Sequence, residues 1–103
     1  MEEKVKISVL LEIYGNILTQ KQRDFMEYYY NEDLSLSEIA DNNNITRQAV
    51  RTILVKSKNK LEEYEKQLKF MKKEKNIKND LEKLKKSNVD KDIIANIEKQ
   101  LDF

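Results

Sequence analysis

Cysteine, histidine and proline are absent from this 103-residue chain, and Gly15 is its only glycine. Without cysteine or histidine, the sequence excludes disulfides, thiol nucleophiles, imidazole acid–base catalysis and the usual zinc sites. Sheet proteins need frequent turn residues, so the shortage of glycine and proline favours helices joined by short polar turns. An apolar share of 39% beside a charged share of 38% is typical of long helices with solvated outer faces.

Long hydrophobic segments are also missing. The longest unbroken apolar runs span only three residues, whereas a transmembrane helix needs about 20. Residues 1–4 lack the basic segment that precedes the apolar stretch of a secretory signal. We therefore expect a soluble, cytoplasmic protein without membrane insertion. Because no nucleophile–base pair, phosphate loop or metal cluster can be traced, we also expect a protein that is not an enzyme and uses no cofactor and no metal.

Charge is distributed unevenly along the chain, although the net charge is only +1. Residues 1–45 hold 4 Lys/Arg and 9 Asp/Glu, a balance of −5. Residues 46–75 hold 10 and 4, a balance of +6, and residues 76–103 hold 6 of each. A positive stripe on an acidic body is expected of a protein that contacts phosphates. A lysine-rich solvated helix would give the same count, so this observation leaves both interpretations open.

Apolar spacing and capping residues predict an all-α fold. The first helix should run over residues 3–15 and stop at Gly15, which tolerates a left-handed backbone. Capping boxes at Thr19–Gln22 and Ser35–Glu38 should open the second and third helices. We expect a winged-helix-like or sigma-70 region-4-like helix-turn-helix head of four helices, the fourth long, followed by two C-terminal helices.

Residues 36–55 match the helix-turn-helix pattern. Ala40 is small where the second helix must cross closely over the first. Asn44 stands at the turn position that requires a positive φ, where glycine is usual. The predicted core positions of the motif are Ile39, Ala40, Asn44, Ile45, Val50 and Ile53.

The outer face of the second motif helix carries the residues that could contact nucleic acid. Near its N-terminus, arginine can pair bidentately with guanine and glutamine with adenine. Thr46 and the free amides of the first turn suit a phosphate. The same three-helix unit also serves as a protein docking module, which is the alternative. The predicted nucleic-acid-binding residues are Thr46, Arg47, Gln48, Arg51, Thr52, Lys56 and Lys58, and Lys60 continues the basic surface.

The fourth helix should continue to about Lys75, with a bend near Asn76 and Asn79. A heptad-like seam along it consists of Leu61, Tyr64, Leu68 and Met71. A helix of about 29 residues would extend beyond a four-helix head, so the seam should pack on the C-terminal helices, on a second subunit, or on both. We favour both and expect a homodimer. The predicted division is a helix-turn-helix DNA-binding-like domain over 1–60 and a region for dimerisation or partner docking over 61–103.

Two other clusters have a simpler structural interpretation beside a functional one. Tyr28, Tyr29 and Tyr30 could stack on bases, but their position on the helix before the motif favours core packing. The acidic residues around Glu38 and Asp41 lack a spacing that would fold several oxygens around one ion. We interpret them as helix-end charge and solvated surface.

The stretches Leu18–Arg23, Leu36–Ala40 and Ile45–Val50 resemble the C-terminal promoter-binding region of bacterial sigma-70 factors. The whole chain more closely resembles the YlxM family of small bacterial helix-turn-helix proteins, weakly after about Leu68. This resemblance implies DNA binding, dimers and a role near the signal recognition particle pathway, because the family's genes lie beside the gene for the particle's GTPase, Ffh. The main hypothesis is a dimeric regulator that binds duplex DNA. The alternative is an accessory protein that binds the signal recognition particle GTPase or its RNA.

Overall fold

The computed structural model describes residues 2–87 and 90–101. These ranges contain six α-helices and no strand, which confirms the all-α prediction. Without a strand, the described part has no β-hairpin wing, so the winged form of the fold is not the one seen. None of the described helices is both long and apolar enough to cross a membrane. The helices are α1 Glu3–Tyr14, α2 Gln20–Tyr30, α3 Leu36–Asn43, α4 Arg47–Leu68, α5 Phe70–Lys85 and α6 Lys91–Leu101.

Contacts divide the chain into two compact units, Met1–Leu68 and Lys69–Phe103. The break falls at Lys69, whose φ of 57° is left-handed and cannot continue a right-handed helix. The fourth helix therefore ends at Leu68 rather than near Lys75, and the boundary between the two units coincides with its end. Left-handed residues at helix ends are usually glycine or asparagine, so a lysine gave no signal in the sequence.

The core of the first unit, which we call the head, forms around the N-terminal two-thirds of α4. This helix contacts α1, α2 and α3. Ser57 is the one buried polar residue of the described core, and its hydroxyl donates a 2.7 Å hydrogen bond to the Ile53 carbonyl. The buried apolar side chains of the head are Ile7, Leu10, Leu11, Tyr14, Leu18, Phe25, Met26, Ile39, Ala40, Val50, Leu54 and Leu61.

Local capping fixes the starts of α2 and α3. Both predicted capping boxes are confirmed: Thr19 with Gln22, and Ser35 with Glu38, exchange hydrogen bonds between side chain and backbone. The first helix ends at Tyr14, as predicted to within one residue, but the predicted left-handed conformation of Gly15 is wrong. Gly15 has φ −54° and opens a 3-10 turn, Gly15–Ile17, so the chain tightens its helix there instead of reversing its hand.

The second unit contains α5 and α6, which pack on each other. Leu81 and Ile94 are its buried apolar side chains among the described residues, and an ion pair of 2.9 Å joins Lys85 to Glu98. Hydrogen bonds from the Lys85 amine to the carboxylates of Glu98 and Glu82 raise the pKa of Lys85. The predicted bend near Asn76 and Asn79 is wrong, because α5 continues through both residues. Asparagine is only a modestly poor helix former, and its neighbours favour the helix.

Candidate nucleic-acid interface

A left-handed turn joins α3 to α4. Asn44, where the sequence predicts a positive φ, has φ 55°. The backbone N–H groups of Asn44 and Ile45 both donate to the Ala40 carbonyl, which satisfies the end of α3. Ile39, Ala40 and Val50 lie buried behind this turn, whereas Ile45 and Ile53 are half-buried. The second helix is therefore held across the first by the residues of the motif itself.

The first turn of α4 projects its side chains into solvent. Thr46 caps the helix, because its Oγ1 accepts a 3.0 Å hydrogen bond from the Ala49 amide. Arg47, Gln48 and Arg51 are all exposed. Thr52 is also exposed, but its hydroxyl donates to the Gln48 carbonyl at 3.0 Å, so its proton is already used within the helix. Its oxygen lone pairs can still accept.

Residues 47–60 of α4 hold five Lys/Arg and no Asp/Glu. Arg47, Arg51 and Lys56 are exposed, and no ion pair engages them among the residues that the structure describes. We call these three the free cations of α4. They lie within the first ten residues of the helix, so a concentrated positive charge faces solvent at the N-terminal end of α4.

The other two lysines of this segment turn towards the body of the head. Lys58 forms an ion pair with Glu3 of α1 and lies 3.9 Å from the Glu62 carboxylate. The hydrogen bond between Lys58 and Glu3 raises the pKa of Lys58 and lowers that of Glu3. Lys60 donates to the Ile17 carbonyl at 2.9 Å. The structure therefore places the Lys58 and Lys60 amines on intramolecular partners, apart from the free cations of α4.

The residues of the predicted seam lie on two helices, α4 and α5. Leu61 is fully buried in the head. The Tyr64 ring lies 6.2 Å from that of Tyr14, Leu68 is the last residue of α4, and Met71 comes after the break at Lys69. A continuous heptad pattern needs an uninterrupted helix, and the left-handed Lys69 interrupts the helix between Leu68 and Phe70.

Carboxylates and tyrosines near the motif have structural partners. In the α3 capping box, hydrogen bonds from Ser35 lower the pKa of Glu38. Asp33 pairs with Lys4 at 2.5 Å. Tyr28 to Tyr30 are half-buried on the surface of α2. Asp41 and Glu38 remain exposed on α3, so two negative charges lie on the helix that precedes the free cations.

The pairing of Lys58 with Glu3 was missed by the sequence reasoning. The two residues are 55 positions apart, and only the packing of α1 on α4 brings them together. A weak signal was present, since acidic residues outnumber basic ones in residues 1–45, whereas the lysines of α4 carry the opposite charge.

Comparison with known proteins gives a consistent result over nearly the whole chain. Residues 1–101 match the UPF0122 family model, whose description is "Putative helix-turn-helix protein, YlxM / p13 like". A UPF0122 protein of Clostridium botulinum is 45% identical over 105 aligned positions, which cover 96% of each chain. One of Fusobacterium nucleatum is 44% identical, with 94% of this chain and 97% of the relative covered. A third, of Clostridium kluyveri, is 48% identical over 75% of this chain and 69% of its own length.

The match includes the capping boxes, the turn and α4, which are the elements that build the motif. This chain therefore belongs to the UPF0122 family of YlxM / p13 like helix-turn-helix proteins.

Proposed function

We propose that this protein is a DNA-binding regulator that places the N-terminal half of α4 in the major groove of duplex DNA. The observation that carries the proposal is the exposure of Arg47, Gln48 and Arg51 on the second helix of the motif. Helices in this position of a helix-turn-helix read base edges with their N-terminal residues. A cytoplasmic and non-enzymatic role accompanies this proposal.

Each side chain of the first turns suits a different part of the duplex. The guanidinium groups of Arg47 and Arg51 can donate two hydrogen bonds each to guanine, and the amide of Gln48 matches adenine. Thr46 keeps a hydroxyl proton for a phosphate, since its oxygen serves as the acceptor in the cap. Lys56, nearly three turns beyond Thr46 along α4, can reach the flanking backbone. The arrangement combines base contact with phosphate contact.

The double variant Arg47→Ala with Arg51→Ala tests this function. Duplexes selected from genomic DNA are titrated with protein, and fluorescence anisotropy is read over a salt series. Each specific contact contributes about 1–3 kcal/mol, so the double variant should bind at least roughly ten-fold more weakly and with a shallower salt slope.

The matched control is Lys66→Ala with Lys99→Ala, which removes the same charge from exposed positions outside the motif. It should bind nearly as well as the unmodified chain. Binding that falls equally in both double variants would show a non-specific charge effect. An unmodified chain without salt-dependent affinity for any duplex would contradict the proposal.

A second candidate is an accessory protein that binds the signal recognition particle GTPase or its RNA without reading DNA sequence. The observation that favours it is the electrostatic character of the head. Lys58 and Lys60 are occupied by intramolecular partners, while Glu38 and Asp41 expose carboxylates on the first helix of the motif. These carboxylates repel the phosphates of DNA and RNA alike, so within this candidate they favour contact with the GTPase over contact with its RNA. Capture of purified GTPase and its RNA on immobilised protein tests this candidate, and absence of both at micromolar concentration would contradict it.

A further inference from the structure

A small apolar cleft lies on the flank of α4, beside the free cations. Its volume is about 170 Å³, the scale of one bulky side chain rather than of a drug-sized ligand. The C-terminal end of α2 contributes Tyr29 and Tyr30, and α3 contributes Leu36. The floor and the outer wall come from Leu54 and Val55 of α4. All of these residues belong to the head.

The walls of the cleft are already arranged as an aromatic corner. The rings of Tyr29 and Tyr30 meet edge to face with centroids 5.0 Å apart, and the Lys4 amine lies 5.5 Å from the Tyr29 centroid. Burial raises the pKa of Tyr30, which agrees with a partly dehydrated position. Val55 nevertheless leaves 47% of its surface in solvent. The cleft thus offers apolar surface without a side chain of this chain filling it.

Two cations stand on the rim of the cleft. Arg51 and Lys58 both line it and are separated by two helical turns, about 10 Å along α4. Lys58 is already paired with a carboxylate of this chain, that of Glu3. At the Arg51 end, no carboxylate is bound among the described residues, although a guanidinium is the better carboxylate receptor of the two.

We propose that this cleft binds an acidic peptide segment of a protein partner, with an apolar side chain in the cleft and a carboxylate on Arg51. The apolar anchor would be covered by Leu36, Leu54 and Val55, and the neighbouring carboxylate would pair with the planar guanidinium of Arg51. Tyrosine rings can also stack on a nucleobase, and this is the occupant that the test below separates from the peptide.

This site goes beyond the proposed DNA-binding function and shares one residue with it. Arg51 is among the free cations that would contact bases, so a peptide carboxylate on its guanidinium withdraws it from the groove. Peptide and duplex are therefore expected to compete for α4. Such competition would let a protein partner release the chain from DNA.

The test uses the full chain, uniformly labelled with nitrogen-15, and the synthetic peptide acetyl-EELFEE-amide. Amide shifts are followed during titration. Shifts should be largest for Tyr29, Leu36, Leu54 and Val55. The peptide acetyl-EEAAEE-amide lacks the anchor and acetyl-KKLFKK-amide reverses the charge. Both should bind at least roughly ten-fold more weakly.

Arg51→Glu and Lys56→Glu form a matched pair of variants. Both positions are exposed on α4, but only Arg51 lines the cleft. Arg51→Glu should weaken acetyl-EELFEE-amide at least about ten-fold, as expected for the loss of a charged hydrogen-bonded pair, and Lys56→Glu by less than about two-fold. Val55→Glu provides a second variant at the mouth of the cleft and should act like Arg51→Glu.

Several results would overturn the proposal. The first is the absence of amide shifts at about 1 mM acetyl-EELFEE-amide. The second is an affinity for acetyl-EEAAEE-amide equal to that for acetyl-EELFEE-amide. The third is an equal loss of peptide affinity in Arg51→Glu and Lys56→Glu. Cleft shifts given by single-stranded oligouridine but not by the peptide would assign the cleft to nucleic acid instead. Because the shifts are measured without DNA, a failure of the DNA-binding function leaves this test intact. If a duplex does bind, displacement by acetyl-EELFEE-amide should follow.

Discussion

Asn44 holds the turn of the helix-turn-helix in a left-handed conformation, with φ 55°. Residues with a Cβ are strained there, by about 1–2 kcal/mol for most side chains. Asparagine is among the few that enter this region readily. The free energy of the turn therefore depends on the residue type at position 44 more than on any contact that its side chain makes.

Replacement of Asn44 by alanine should lower the free energy of unfolding by about 1 kcal/mol. Asn44→Gly should change it by less than about 0.5 kcal/mol, because relief of strain is offset by greater freedom of the unfolded chain. Urea unfolding followed by circular dichroism measures both variants. Asn42 provides the control, since it lies inside α3, where alanine is the better helix former and Asn42→Ala should be neutral or stabilising. Equal effects of alanine at 42 and 44 would contradict the strained turn.

At the scale of elements, the two capping boxes of the head differ in charge. The box of α2 closes with neutral Gln22, and that of α3 closes with Glu38, whose carboxylate accepts from the Ser35 amide at 3.0 Å. Hydrogen bonds from Ser35 hold the pKa of Glu38 below its ordinary value of 4.5. The stabilisation that this carboxylate provides is therefore present above that value, and it disappears as the pH falls through the lowered pKa of the folded state.

Glu38→Gln should remove this part of the pH dependence of stability. The variant should be less stable than the unmodified chain at neutral pH, and the two should converge below the lowered pKa, where Glu38 is protonated. Gln22→Glu is the converse control, because it introduces the same titrating group into the α2 box. Urea unfolding midpoints of the unmodified chain and both variants, recorded between neutral pH and about pH 3, measure this pH dependence. Parallel pH profiles for Glu38→Gln and the unmodified chain would show that the box carries no charge-dependent stability.

The same boxes show which features of this fold are readable in the sequence. Ser35 and Glu38 are three residues apart, so their hydrogen bonds follow from local geometry alone. The turn at Asn44 is likewise local. The partner of Lys58 is not, because Glu3 is brought to it by the packing of α1 on α4. The end of α4 at Lys69 also escaped prediction, since lysine favours helix interiors and carries no turn signal.

At the scale of the whole molecule, the second unit is small for an independent core. Only Leu81 and Ile94 are buried among the described residues of Lys69–Phe103. Folded units below about 40 residues usually depend on disulfides, metals or association, and the chain contains no cysteine. The large apolar side chains exposed in this unit are Phe70, Ile77, Leu84, Ile93 and Ile97. A second copy of the chain would cover such side chains and would also present two recognition helices to a palindromic DNA site.

We therefore expect a homodimer that depends on α6, and Ile93→Lys tests it. Ile93 is 58% exposed, so a lysine there leaves the core of the chain unchanged but puts a charge into a covered apolar surface, which is costly. Light scattering coupled to size exclusion should give a dimer for the unmodified chain and a monomer for Ile93→Lys. Asn96→Lys adds the same charge at an exposed polar position of α6 and should remain dimeric. A monomeric unmodified chain at roughly 0.1 mM would contradict the homodimer. A dimer that survives Ile93→Lys would show that the interface between subunits does not include Ile93. DNA affinity of the Ile93→Lys monomer should then fall as well, because one head would have to bind a half-site without the other.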